Sequence, residues 1–287
     1  MTSKNTLIIG TRGSALALAQ ADMVRAALSA LHPGLDIRRE IIRTTGDRRT
    51  DVPLADVARV SGIVDKGIFI KELETALLEG RIDVAVHSLK DVPSELAPEF
   101  RLPAVLPRAA AEDVLITKEP DWNGRGTLAT GSVRRRLMAR TYWGRQLRFE
   151  DLRGNVPTRL EKLVEHPEWD AVILAKAGLE RLGLYAPETV VQGRKLYMRP
   201  LPVEAFIPAV GQGIVGMECR ASDRKTKELL AGINDAETCA CGMAERTFLV
   251  RLGASCSTPV GVHACLEGDE LVLRAAYYLS LIHISEP

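Results

Sequence analysis

The sequence predicts an α/β protein with parallel sheet, large enough for two or three domains. Three observations carry that expectation. Short apolar runs of strand length, such as residues 84–86 and 170–175, alternate with stretches of helical apolar spacing. The runs are apolar almost throughout, as strands are when helices cover both faces of a sheet. The length, 287 residues, exceeds what a single typical core serves.

Composition narrows the class. Hydrophobic content of 46% and charged content of 26% are those of an ordinary globular chain. A net charge of +1 argues against a nucleic-acid binder driven by bulk charge. No run of about 18 apolar residues exists, so no membrane span is expected. Residues 7–9 and 15–21 mimic a signal peptide, but Arg12 and its neighbouring glycines interrupt the apolar core such a peptide needs. The cysteines, Cys219, Cys239, Cys241, Cys256 and Cys265, are odd in number and confined to the last third. That is no disulfide framework and suits a reducing, cytoplasmic setting.

Residues 7–9 read as a first strand. Gly10-Thr11-Arg12-Gly13-Ser14 is a strand-to-helix turn, with Ser14 as N-cap of a helix ended by His32-Pro33-Gly34. Amides at that helix start can hold an anion, and Arg12 adds charge. The glycines match neither a dinucleotide fingerprint nor a P-loop. Residues 37–44 form a second strand, 45–61 a polar loop, and 68–78 a helix after Lys66-Gly67. Next comes Asp83-Val84-Ala85-Val86-His87-Ser88-Leu89-Lys90-Asp91-Val92-Pro93, an apolar run ending abruptly in polar residues. Open α/β sheets place ligands at such strand ends. Asp91 beside Lys90 reads either as a tuned carboxylate or as an incidental surface pair.

Residues 102–106, bracketed by Pro103 and Pro107, read as a crossing into a second domain. Strands follow at 113–117 and 127–130, and Gly131-Ser132 opens a helix carrying Arg134, Arg135, Arg136 and Arg140. Another strand ends in Leu152-Arg153-Gly154-Asn155 before a helix with Arg159 near its start. The strand at 170–175 precedes a helix bearing Arg181. Three successive strand ends thus deliver arginine. Arginine at a helix start is unfavourable unless something negative arrives, and its fork matches carboxylates. The set predicts a pocket for a small molecule with several carboxylates. Any one arginine also reads as a solvated helix face, Arg136 and Arg140 most readily.

Residues 186–206 read as an irregular surface excursion. Ala209-Val210-Gly211-Gln212-Gly213 suits a hinge, and 214–218 a strand returning to the first domain. Helices are expected over 222–230 and 237–252, and a hairpin over 261–276. Cys239 and Cys241 lie two apart on a helix, point to different faces, and do not form a zinc site. Cys219 and Cys265 read as packing residues. Cys256, in a loop between Gly253 and Pro259, reads as a buried thiol or as a nucleophile or attachment point.

Seven segments in order now form a pattern: Thr11-Arg12-Gly13-Ser14, Lys66-Gly67-Ile68-Phe69, His87 to Pro93, Ser132-Val133-Arg134-Arg135, Leu152 to Val156, Ala209 to Gly213, and the Cys256 loop. Together they resemble the porphobilinogen deaminase, or hydroxymethylbilane synthase, family. The resemblance implies three α/β domains. The first two are similar to type II periplasmic-binding-protein lobes around a central cleft; the third is a small α+β domain. It places the first domain at 1–106 plus 210–232, the second at 107–209 and the third at 233–278. It implies a transferase that joins four porphobilinogen molecules head to tail, releasing ammonia, into hydroxymethylbilane. The primer is a covalent dipyrromethane cofactor. Cys256 matches its thioether cysteine and Asp91 the catalytic carboxylate. Lys90, Thr130, Ser132, Arg134, Arg135, Arg153, Asn155 and Arg159 match cofactor-binding residues; Arg12, Ser14, Arg181 and Lys66 match substrate-binding ones. No metal is implied, and the expected state is a cytoplasmic monomer without nucleic-acid or membrane partners. A non-catalytic two-lobed binder of a polycarboxylate is the rival reading.

The sequence departs from the family at 61–65, where a glycine-rich turn is expected, and at 186–206, which is longer. Residues 279–287 read as translated library-adapter sequence, which would leave the third domain truncated and the 261–276 hairpin with an uncovered face.

Overall fold

A computed structural model describes residues 6–44, 70–254 and 258–278. The readings made on Lys66, on residues 45–69, on Cys256 and on 279–287 lie outside them.

The first sheet follows the expected alternation. β1 (Thr6–Thr11), α1 (Ala15–Leu31), β2 (Asp36–Ile41), α2 (Lys71–Leu78), β3 (Val84–Ser88) and β4 (Phe100–Val105) come in order. Ser14 caps α1 by accepting from the Ala17 amide at 3.2 Å. The buried positions of α1, namely Ala17, Gln20, Ala21, Val24 and Leu28, recur at helical spacing and lay one stripe on the sheet. β1 pairs in parallel with β2 and β3. β11 (Val215–Arg220) returns from far along the chain and inserts antiparallel between β3 and β4. The core here joins Leu7, Ile9, Val24, Leu28, Val84, Val86, Val215 and Met217.

The second sheet repeats the plan with β5 (Asp113–Thr117), β6 (Gly126–Ala129), β7 (Leu147–Glu150), β8 (Ala171–Ala175), β9 (Glu188–Val191) and β10 (Arg194–Pro200). They lie in the order β7-β6-β8-β5-β10-β9. The helices of this lobe are α3 (Val133–Trp143), α4 (Val156–Glu165) and α5 (Lys176–Arg181). The chain crosses between lobes twice, after β4 and before β11. The crossings bond each other through Leu106 N to Val215 O (3.0 Å) and Ala109 N to Gly213 O (3.1 Å). α6 (Arg224–Ala231) closes the first lobe. α7 (Ala236–Arg251) and the hairpin of β12 (Val260–Glu267) and β13 (Glu270–Tyr277) form the small third unit.

Three expectations need correction. Residues 102–106 are not the crossing: β4 is a strand of the first sheet and the crossing starts at Leu106. Pro103 is tolerated because β4 is an edge strand, where a missing amide costs no ladder bond. Residues 186–206 are not irregular, since β9 and β10 form a hairpin on the second sheet. Its two-residue turn, Gln192 (φ 48°) and Gly193 (φ 78°), has the backbone of a type I′ hairpin. The exposed Arg194, Lys195 and Arg199 hid the strand pattern. Cys265 is half-buried rather than packed away, with the Arg274 Nη1 3.5 Å from its sulfur. Cys219 is fully buried, which pushes its thiol up to about 11. On the hairpin, Ala276 and Tyr278 pack on the second core, while Leu266, Leu271 and Tyr277 are exposed.

Candidate active site

The ends of β3 and β8, the starts of α1, α4 and α5, and the crossing segment line one cleft. Gln20, Ser88 and Lys90 line it from the first lobe, Arg135, Arg159 and Arg181 from the second.

β3 stops at Ser88, and Leu89–Asp91 winds into one 3₁₀ turn with the Val92 amide bonded back to Leu89 O. Leu89 is buried, and its amide bonds Ile214 O at 2.9 Å, so the turn is pinned to the returning chain. A Cβ on Gly211 would stand 2.9 Å from Leu89 Cγ and 3.1 Å from Lys90 N, so only glycine fits there, at φ 69°. Gln20 Nε2 donates to Ser88 Oγ at 2.8 Å, tying α1 to the strand end. Asp91 is half-buried beside Lys90, and its charge acts on both Lys90 and Arg159. Burial, then Arg135, pulls the Lys90 ammonium down to about 8, although Asp91 and Asp113 oppose the shift.

In the second lobe, Ser132 caps α3 by accepting from the Arg135 amide, and Thr130 Oγ1 accepts from the Ser132 amide. Arg134 and Arg135, adjacent in sequence, share the fully buried carboxylate of Asp113. Arg134 Nη2 donates to Oδ2 at 2.6 Å; Arg135 donates to Oδ1 from Nη2 at 2.6 Å and from Nε at 3.1 Å. Burial alone would raise the Asp113 carboxyl, yet the two guanidiniums hold it well below the usual carboxylate range. Gln212 Nε2 adds a fourth donor at 3.0 Å. Arg135 also donates to Ile173 O and lines the cleft. Arg134 turns instead to Ile207 O (2.7 Å) and Met138 Sδ, behind the cleft lining.

Asn155 caps α4, accepting from the Thr158 amide at 2.9 Å. Arg159 Nε donates to Gly154 O at 2.7 Å, and burial with Arg135 nearby lowers its pKa to about 10. Arg181 Nη2 reaches across to Gly213 O at 2.7 Å. Arg153 Nη1 and Arg181 Nε are buried nitrogens without a hydrogen-bond partner in the described structure. Arg12 lies half-buried just past β1, ahead of the Ser14 cap. By contrast, Arg136 bonds Asp151, and Arg136 and Arg140 both stack over Phe149 on an outer helix face.

Guanidiniums and an ammonium crowded around one opening repel each other, and buried donors without partners are costly. Anionic oxygens resolve both costs. The unpartnered nitrogens of Arg153 and Arg181 therefore fit a group bearing several carboxylates, which the dipyrromethane cofactor is. Sequence reading did not single out Asp113, Gln212 or Gln20. The one available signal was an acid opening the otherwise apolar strand β5, which needs a cationic partner once buried. Among the described residues no cluster suits a metal ion, and no helix is long and apolar enough to cross a membrane.

Comparison with known proteins supplies an independent line. A family model described as porphobilinogen deaminase, dipyromethane cofactor binding domain, matches residues 7–228, and the C-terminal domain model of the same enzyme matches 239–279. Porphobilinogen deaminase of Roseiflexus sp. is 45% identical over 276 residues, covering 94% of this chain and 85% of that protein. The enzyme of Syntrophotalea carbinolica is 42% identical, covering 94% and 82%. Among solved structures, the BvgS periplasmic VFT2 domain of Bordetella pertussis aligns with a TM-score of 0.44 at 14% identity, covering 87% of this chain and 93% of that one, too distant to carry an argument. With a family model spanning most of its length and relatives identical at more than four positions in ten, the chain belongs to the porphobilinogen deaminase family.

Proposed function

We propose that the cleft residues described above carry out the family's reaction in this chain, with Asp91 as the catalytic carboxylate. The reaction joins four porphobilinogen molecules head to tail, releases four ammonia molecules, and frees hydroxymethylbilane with water. The carrying observation is that Lys90, Arg135, Arg159 and Arg181 line one cleft, and that Asp91, next to Lys90 in the chain, is near enough for its charge to act on both Lys90 and Arg159. When bound through Cys256, the dipyrromethane cofactor supplies the pyrrole primer. Arg135, Arg153 and Arg159, with Thr130, Ser132, Asn155 and Lys90, hold its acetate and propionate groups; Arg134 acts from behind through Asp113. Arg12, Ser14, Arg181 and Lys66 take the incoming substrate.

Asp91 faces the charge change. Loss of ammonia leaves an electron-poor cation on the substrate ring, and a preorganised carboxylate at pyrrole N–H distance stabilises it. Protonated, the same carboxyl can serve the departing amine. A binder of polyanions gains nothing from a carboxylate amid its arginines, since like charge there lowers affinity. That argument favours the enzyme over the non-catalytic binder. In this reading the domains divide at 1–106 plus 210–232, 107–209 and 233–278, and the chain works as a cytoplasmic monomer.

Intact-mass measurement tests the assignment. The wild type should carry one added pair of pyrrole units, absent from Cys256→Ser; an unmodified wild type would favour the binder. Asp91→Asn should keep the added mass and lose nearly all turnover, and near-normal rates would remove Asp91 from its role.

A further inference from the structure

Helix α7 belongs to the third unit, yet it grips the turn that carries Asp91. Arg246 is 6% exposed, and its guanidinium reaches three successive carbonyls just past that turn. Nη2 donates to Pro93 O at 2.6 Å and Ser94 O at 2.9 Å, and Nη1 to Val92 O at 3.4 Å. These carbonyls need outside donors. β3 ended at Ser88, so the strand ladder supplies none. One planar guanidinium with five N–H groups can serve all three; an ammonium cannot match that fork.

The same helix face meets the turn on its other side. Gly242, one helical turn before Arg246, packs on Leu89: a Cβ there would stand 3.2 Å from Leu89 Cδ2 and 3.3 Å from Ile214 Cδ1. Glu245 holds the Gly211 amide at 2.7 Å, and Gly211 in turn backs onto the Lys90 amide. Lys90 and Asp91 are therefore clamped before and after by residues 242–246. Ten residues after Arg246 along the chain comes Cys256.

We propose that Arg246 is a positioning residue for catalysis: it fixes the Asp91 turn by gathering the carbonyls of Val92, Pro93 and Ser94. The proposal rests on the reading of Asp91 as the catalytic carboxylate.

The test uses the full chain with its cofactor and four variants: Arg246→Met, Arg246→Lys, Asp91→Asn and the double variant Asp91→Asn/Arg246→Met. Arg246→Met should keep the cofactor mass and hold KM within about threefold while kcat falls about 100-fold, the scale of a 1 Å misplacement. Amide exchange should rise in residues 89–95 and not in the sheets. In single-turnover assays on the Asp91→Asn background, the Arg246→Met change should cost nothing further, because its effect runs through Asp91. A kcat near wild type, or a loss that multiplies onto that of Asp91→Asn, would overturn the proposal. If Arg246→Met does not fold, Arg246→Lys is read instead: a kcat lowered at unchanged KM supports the proposal, and full kcat overturns it. Wild-type rates in Asp91→Asn alone would overturn the reading of Asp91 and this proposal with it, a result told apart because it needs no change at Arg246.

Discussion

Lys90 is where burial and charge are most closely opposed. Its ammonium stands in a wall already crowded with guanidiniums, and burial first, then Arg135, lowers its pKa to about 8. The consequence for stability has a definite sign. An unfolded lysine titrates near 10.5, so between about pH 8 and 10.5 the unfolded chain binds more protons and stability rises with pH. The cost of burying the charge is full below pH 8. In the cofactor-free Cys256→Ser background, adding Lys90→Met should therefore raise Tm at pH 7, with the gain fading as pH approaches 10. Melting curves across that range check it; a gain that does not fade would mean the lysine is not the strained group. A bound carboxylate reverses the argument, since opposite charge restores the ammonium. Arg134 and Arg135 show how neighbouring residues part at this scale. Both neutralise Asp113, but only Arg135 also lines the cleft.

At the scale of elements, caps and turns place the site. Ser14, Ser132 and Asn155 each end the extended backbone and begin a helix, setting three helix N-termini after β1, β6 and β7. Glycines at turns differ widely in importance. Gly193 has positive φ but nothing within 4 Å of where a methyl group would stand, whereas Gly211 has positive φ and backs onto Leu89 and the Lys90 amide. Gly193→Ala should cost about 1 kcal/mol, the ordinary penalty for a strained φ. Gly211→Ala should cost at least about 2–3 kcal/mol and lower kcat, since the Lys90–Asp91 turn must shift. Denaturant midpoints and kinetics on both variants decide the point; equal costs would show that the Gly211 contact relaxes freely. Helices and buried strands were legible from spacing and caps. β4 and the β9–β10 hairpin were not, because prolines and surface charges on edge strands imitate loops.

Across the whole molecule, one buried carboxylate joins all three units. Glu245 of α7 accepts from Arg108 Nη1 at 2.6 Å, the Gly211 amide at 2.7 Å and the Ala264 amide at 2.8 Å. Arg108 continues to Gln212 O and Ala264 O. First crossing, second crossing, helix and hairpin thus meet at a single ion pair. Burial raises the Glu245 carboxyl even with Arg108 in place. Arg108→Leu should strand that charge at a cost on the order of 3–5 kcal/mol near pH 7.5. With the folded pKa raised above the unfolded value, stability is regained as pH falls and lost as it rises. The penalty should therefore be smaller at pH 5. Chemical denaturation at the two pH values measures it, and a pH-independent penalty would point to lost packing rather than a stranded charge.

Local chemistry alone determined much of this protein. Apolar period, N-caps and glycine turns act over a few residues, so the alternation of strands and helices, the Asp91 turn and the arginines at strand ends could be read directly. Only the folded chain decided which residues serve those arginines and that turn. Asp113 meets Arg134 and Arg135 from another strand, Gln212 joins them from the second crossing, and Arg246 holds carbonyls about 150 residues before it in sequence. Such partners leave no periodic trace, because a buried charge is matched by whatever the topology brings beside it.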